Sequence, residues 1–332
     1  MSTAVGGPYF DELEVGMTFD TAPAVTLTDG LAASHRAILG DRLRLPLDHG
    51  LSRLVTGAPT PLASPSLVWD LAIGQSTLAT HHVKANLFYR GLRFRRFPHI
   101  GDTLTTRTTV EGLRDNAPKP GRAATGLAAL HMTTSDQHGR TVLDFHRCAM
   151  LPVGPDADPS RGRRDQDLTA IGVPTGERAE WAMPQEWDLA AYRRSTASAT
   201  RAVDLVGRSF ATSGDVVSSA PELARLSLNI AAVHHDERVG GSRLVYGGHT
   251  IGLALAQTTR ALPDLVTILG WESCDHTGPV RENDTLTSHI EVLGHTPLRQ
   301  GSALHLRCLV AAHRADTDPA PVLDWRYTAL VA

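Results

Sequence analysis

Ile100-Gly-Asp-Thr-Leu-Thr105 recurs 182 positions on (100 to 282) as Glu282-Asn-Asp-Thr-Leu-Thr287. That recurrence decides the fold. Val142-Leu-Asp-Phe145 returns as Val322-Leu-Asp-Trp325, an offset of 180 (142 to 322). Upstream, Leu39-Gly-Asp41 matches Leu228-Asn229 at an offset near 188 (41 to 229). Short matches arise by chance, but three in one order with a slowly drifting offset mark an internal duplication. The chain therefore reads as a first copy over residues 1–153, a linker over 154–184 and a second copy over 185–332. The linker is rich in Pro, Gly, Asp and Arg, and Arg161, Arg163 and Arg164 read as a solvated charge run.

Each copy repeats one plan. Residues 28–39 and 215–228 read as a first helix. Residues 67–79 and 250–262 read as a second helix, apolar nearly all round, which must be covered on most sides. Three strand-like segments follow in each copy: 103–110, 127–134 and 142–151, then 285–293, 302–312 and 322–331. A buried helix followed by an antiparallel meander predicts an α+β fold in which a sheet wraps round a helix, twice over. A doubly wound parallel sheet needs helices between the later strands, and the connections are too short for them.

Composition fits a soluble enzyme. The 332 residues carry a net charge of −3 and a pI near 6.6, which give no reason to expect nucleic acid or an anionic membrane as partner. No apolar run approaches the roughly 18 residues of a membrane span. The first residues lack the basic and apolar regions of a signal peptide, so a cytoplasmic protein is the expectation. Three scattered cysteines suggest neither disulfides nor a zinc ribbon. Of 16 histidines, none falls in an HExxH or CxxC context, so no metal is expected.

The chemistry concentrates in Asn229-Ile-Ala-Ala-Val-His234-His-Asp236 and, shortly after, Tyr246-Gly-Gly-His249. An amide and an imidazole five residues apart can flank one water. A Gly-Gly pair opening a helix can offer bare N–H groups to a carbonyl, helped by the helix dipole. These are parts for adding water to an activated carbonyl compound.

Taken with Tyr9-Phe-Asp-Glu-Leu-Glu-Val-Gly16, Ala85-Asn-Leu-Phe-Tyr89 and Arg243-Leu-Val-Tyr-Gly-Gly-His249, the chain resembles the MaoC-like hydratase/dehydratase family of double hotdog proteins, and within it the mesaconyl-CoA hydratase branch. The resemblance covers nearly the whole chain apart from the linker. It implies two antiparallel sheets, each wrapped round a central helix, and a hydro-lyase acting on an enoyl-CoA thioester. CoA enters as part of the substrate, with no other cofactor, and a homodimer is compatible. The family pairs an Asp with a His five residues on. The first copy has Asp41 but Pro46 in the His position, so its site is expected to be degenerate. The second has His234 with Asn229 in place of the Asp, as in the mesaconyl-CoA branch.

An amide cannot titrate, so Asn229 is expected to hold water or substrate. His234 is then the base, and its imidazolium, or a water it contacts, returns the proton to the α-carbon. Backbone N–H groups around Gly248 and His249 are the expected oxyanion hole. Arg243, Tyr246 and Arg281 are the candidates for CoA or a substrate carboxylate. Asp236 is expected to cap its turn, Asp41 to serve structure, and His235 to be packed or solvated. Three alternatives stay open: a general (R)-specific enoyl-CoA hydratase or 3-hydroxyacyl dehydratase, a non-catalytic acyl-thioester-binding protein and, less strongly, a hotdog thioesterase.

Overall fold

The computed structural model describes residues 6–173, 181, 183–198, 200–315 and 317–332; the first five residues and part of the linker (174–180 and 182) lie outside them. The first half runs β1 (Thr18–Phe19), β2 (Val25–Thr26), α1 (Asp29–Leu39), α2 (Arg44–Leu47), α3 (His49–Thr56), α4 (Pro65–Gln75), β3 (Ala85–Phe94), β4 (Thr103–Asp115), β5 (Thr125–Ser135) and β6 (Thr141–Pro152). After α5 (Leu189–Thr196) and α6 (Ala202–Leu205), the second half runs β7 (Ser209–Ala211), β8 (Asp215–Val216), α7 (Ala220–Leu226), α8 (Gly247–Ala261), β9 (Leu265–His276), β10 (Thr285–Pro297), β11 (Ser302–His313) and β12 (Ala320–Val331).

The duplication is visible in the strand order β1-β4-β5-β6-β3-β9-β12-β11-β10-β7, which reads the same from either end. The two half-sheets are continuous. They join where β3 pairs antiparallel with β9, Tyr89 opposite Cys274 and Arg90 opposite Ser273. Of the long strands, β3 and β9 are the two that the periodicity did not single out. Each half also carries a bulge at the same place, Val110/Gly112 in β4 and Val292/Gly294 in β10. A bulge bends its strand and increases the local twist, which curls each half-sheet round its helix.

Thr28 caps α1 by accepting from the Leu31 N–H. The first helix of the second half is Ala220–Leu226 rather than 215–228, because Asp215–Val216 pairs with β10 just as Val25–Thr26 pairs with β4. Every residue of α4 is buried, as an all-round apolar helix requires, and α4 packs against α8. Trp69 of α4 meets Trp271 of β9 and Trp325 of β12 at ring-centroid distances of 5.0 and 6.1 Å. A helix of one half thus fills the core of the other, and one apolar cluster spans both.

The described part of the linker does not carry a solvated charge run. Arg161 pairs with Asp115, and Arg164 donates to the Phe10 and Asp11 carbonyls at 2.6 and 2.9 Å. Leu168 and Ile171 cover Ala129 and Cys148 on the outer face of the first half-sheet. Apolar surface there needs cover, and the linker supplies it. Arg163 alone of the three stays exposed.

Candidate active site

A cavity of about 370 Å³ opens between the halves, lined by Asn229, His234, Tyr246 and His276 from the second and by Tyr89 and Arg147 from the first. The loop that carries Asn229 is held by the other half's helix. Gly74 of α4 lies so close to the Ser227 carbonyl that no Cβ fits between them. Thr77 Oγ1 accepts the Ile230 N–H at 3.0 Å, and the His81 carbonyl accepts the Ala232 N–H at 2.9 Å. Leu228 adopts φ 61°, a left-handed conformation unusual for a branched side chain, immediately before Asn229.

Asn229 is buried, and its Oδ1 accepts the Ala231 N–H at 3.0 Å. Its Nδ2 makes no hydrogen bond among the described residues, which leaves a donor for the cavity. His234 ends a single turn of 3₁₀ helix, Ala232–His234. Its Nδ1–H donates to the Leu244 carbonyl at 2.8 Å, which fixes the tautomer and leaves the Nε2 lone pair free. Desolvation pushes its pKa down to about 4. The Leu244 carbonyl opposes that shift, and the nearby charges of His235 and Arg147 add to it. The imidazole is therefore a neutral base at physiological pH. Asp236 accepts from the Arg238 N–H and caps the next turn, while His235 Nε2 donates to the Asn229 carbonyl at 2.6 Å.

α8 begins at Gly247, with Tyr246 as its N-cap. The His249 N–H donates to the Tyr246 carbonyl at 3.0 Å, and the His249 ring is fully buried with neither nitrogen partnered among the described residues. His249 does not line the cavity. The free N–H groups at this helix start belong to Gly247, which lines the cavity, and Gly248. Both glycines are required by packing. A Cβ on Gly248 would meet the Asp70 carboxylate and the Tyr246 ring, and one on Gly247 would meet His276. Tyr246 OH donates to Asp70 Oδ1 at 3.1 Å, and His35 bonds the other carboxylate oxygen at 2.8 Å. Burial raises the Asp70 pKa, with His35 and Tyr246 pulling against it. This group fixes Tyr246 and the start of α8.

The arginine expectations fare unequally. Arg243 turns to Glu282 at 3.5 Å, is 43% exposed and does not line the cavity. Arg281 lines it but donates to the Ser242 and Arg243 carbonyls at 3.2 and 3.0 Å. The cation inside is Arg147, which the sequence reading did not name. It is 3% exposed and donates from Nη2 to the Ser76 carbonyl and to Thr80 Oγ1. It leaves Nε unpartnered, and the phenols of Tyr89 and Tyr246 face it. Among the described residues no carboxylate pairs with it. Arginine stays ionised even where burial lowers its pKa, as here. A signal existed: Phe145, Arg147 and Ala149 occupy successive inward positions of β6, where a charge has no structural use. His276 was also missed; its buried Nε2 has no partner among the described residues, and desolvation pushes its pKa down to about 4.

No family model matches the chain. It is 29% identical to a beta-methylmalyl-CoA dehydratase of Chloroflexus aurantiacus, over 98% of this chain and 97% of that protein. It is 25% identical to a mesaconyl-CoA hydratase of Cereibacter sphaeroides, over 94% and 91%. Among solved structures, a conserved hypothetical protein of Mycobacterium tuberculosis with a double hotdog fold is 57% identical, with 99% of each chain covered and a TM-score of 0.94. A MaoC domain dehydratase of Chloroflexus aurantiacus is 28% identical at a TM-score of 0.83, covering 100% of this chain and 99% of the other. The chain belongs to the MaoC-like hydratase/dehydratase family of double hotdog proteins. It is by class a carbon–oxygen lyase. Among the described residues no helix is long and apolar enough to cross a membrane.

Proposed function

We propose that this protein reversibly adds water to an enoyl-CoA thioester whose acyl group ends in a free carboxylate, as in mesaconyl-CoA. The carrying observation is Arg147, a buried cation with no counter-ion among the described residues, in the cavity that holds His234. An ion with no partner in a dry site costs several kcal/mol, and a substrate carboxylate removes that cost with bidentate geometry. The named relatives, a beta-methylmalyl-CoA dehydratase and a mesaconyl-CoA hydratase, support the same class.

In this reading His234 Nε2 takes a proton from a water held by the Asn229 Nδ2–H. The water oxygen bonds to the β-carbon, and the double-bond electrons move through the α-carbon onto the thioester oxygen. The Gly247 and Gly248 N–H groups receive that enolate charge, a contribution of about 3 kcal/mol for one such donor. The imidazolium then returns its proton to the α-carbon. Lys84 and Arg281, both on the cavity wall, are the cations available to the CoA phosphates.

Arg147→Met tests the carboxylate reading. Loss of a buried charged hydrogen-bond partner should lower kcat/KM for mesaconyl-CoA by about 10²–10³-fold. Crotonyl-CoA, which lacks the carboxylate, should keep its rate. Equal losses on both substrates make Arg147 structural. A parent protein that hydrates crotonyl-CoA well and ignores mesaconyl-CoA favours the general (R)-specific hydratase, and one that hydrates neither favours a binding protein.

A further inference from the structure

A second polar cluster lies on the face of the first half-sheet that points away from the core. His131 of β5 stands directly opposite His146 of β6, and their rings stack at 4.5 Å. Glu111, on the β4 bulge, reaches both: Oε1 is 3.7 Å from His131 Nδ1 and Oε2 is 3.2 Å from His146 Nε2. One ligand atom from each of the three lies within 4.8 Å of the others. The far side of His131 is also fixed, its Nε2 donating to Asp144 Oδ2 at 3.0 Å. The linker fences the group, since a Cβ on Gly172 would come 2.8 Å from the His146 Cβ.

The second half provides an internal control. At the corresponding register, Arg307 of β11 stands opposite Arg326 of β12. Arg307 binds Asp324 through Nε and Nη2 at 3.0 and 2.6 Å, and its Nη1 lies 3.8 Å from Glu291. That arrangement is an ordinary ion-pair ladder, because guanidinium has no lone pair to offer. In the first half the two arginines are replaced by the two side chains that do have one, while Asp144 keeps the position of Asp324.

We propose that Glu111, His131 and His146 form a binding site for a divalent transition-metal ion of the Zn²⁺ class, with Asp144 orienting His131. Two imidazole nitrogens and a carboxylate oxygen are a familiar zinc donor set, and a carboxylate behind a ligating histidine fixes its tautomer. Zinc bonds of about 2.0–2.1 Å put tetrahedral ligands roughly 3.3 Å apart, a small contraction for side chains 20–34% exposed. The open side leaves a fourth position for water. Each nitrogen binds through its lone pair, so any proton it carries is released to solvent. Nothing in the sequence spacing shows the site, because its ligands meet only when three strands pair.

The test uses the full chain stripped with EDTA and titrated with ZnCl₂ alone against a chromogenic zinc chelator. One Zn²⁺ per chain should compete with the chelator. The double variant His131→Arg/His146→Arg, which rebuilds the ladder of the other half, should lose that equivalent while keeping its melting temperature. If that variant does not fold, Glu111→Gln should give the same loss. Asp144→Asn should weaken binding by about 10–100-fold. No bound equivalent in the parent overturns the proposal, and so does undiminished binding in the variants, which puts the ion on other histidines.

Discussion

The two halves carry the same fold and end in different pockets. In the first, a hollow of about 210 Å³ is lined by His35, Asp41, His49 and Ser64 among others. Asp41 is spent there, accepting from the Leu43 N–H at 3.0 Å and from Ser64 Oγ at 2.5 Å, and Pro46 stands where an imidazole belongs. In the second, Asn229 and His234 keep a free donor and a free lone pair facing the cavity. The inner face of the sheet differs in a complementary way. Arg147 has Tyr327 as its counterpart at the offset of 180 (147 to 327), and Tyr327 OH is occupied by Thr258 at 2.8 Å. The difference suggests a division of labour, with reacting groups in the second half and the grip on the acyl carboxylate in the first.

The sharpest way to break this comparison is to remove the base from each half. His234→Ala should cost about 10²–10⁴-fold in hydration rate. Asp41→Ala should stay within a few-fold of the parent, since that carboxylate only holds backbone and Ser64. Measured turnover with the order reversed puts the chemistry in the wrong half.

A smaller effect is expected at Asn229. Asn229→Ala should lower the rate by about tenfold through loss of one hydrogen bond to water, leaving the pH profile in place. That profile should have its acid limb near pH 4, where His234 protonates. Asn229→Asp adds an opposite charge beside the imidazolium, which raises the His234 pKa and moves the limb to higher pH. A limb that does not move in the Asp variant means that residue 229 does not face the base.

The smallest effect concerns His249, buried with neither nitrogen partnered among the described residues and its pKa pushed down to about 4 by desolvation. The folded ring is neutral, whereas the unfolded one binds a proton below about pH 6.5. Stability is therefore lost as pH falls from about 6.5 toward 4, by about 1.4 kcal/mol per pH unit for this group. His249→Leu should raise stability by about 1–3 kcal/mol at neutral pH and flatten that dependence. Urea melts at pH 7 and pH 5 check both. A destabilised Leu variant means that the ring has a partner it needs.

Much of this was legible in the chain. The repeated Asp-Thr-Leu-Thr motif marks the start of β4 and β10, and the repeated Val-Leu-Asp motif the start of β6 and β12. The all-apolar helix reading holds because burial on every side leaves no polar stripe. What escaped were the seam strands: residues 265–271 of β9 are buried without a break, so no alternation marks them. In the site, residues close in sequence were found and those brought by the other half were not. Arg147, Tyr89 and the buttressing Thr77 reach the loop of residues 227–236 only through tertiary packing. Arg243, adjacent in sequence to the cavity wall, is turned away from it by Glu282.

The seam between β3 and β9 has one more consequence. When two separate chains build such a sheet, dilution takes the pocket apart and every substitution appears in it twice. Here one peptide chain supplies both edges, so the encounter is intramolecular and assembly of the cavity does not depend on protein concentration. Its two walls are also free to diverge independently: a charge introduced on one strand need not be accommodated a second time across the pseudo-dyad.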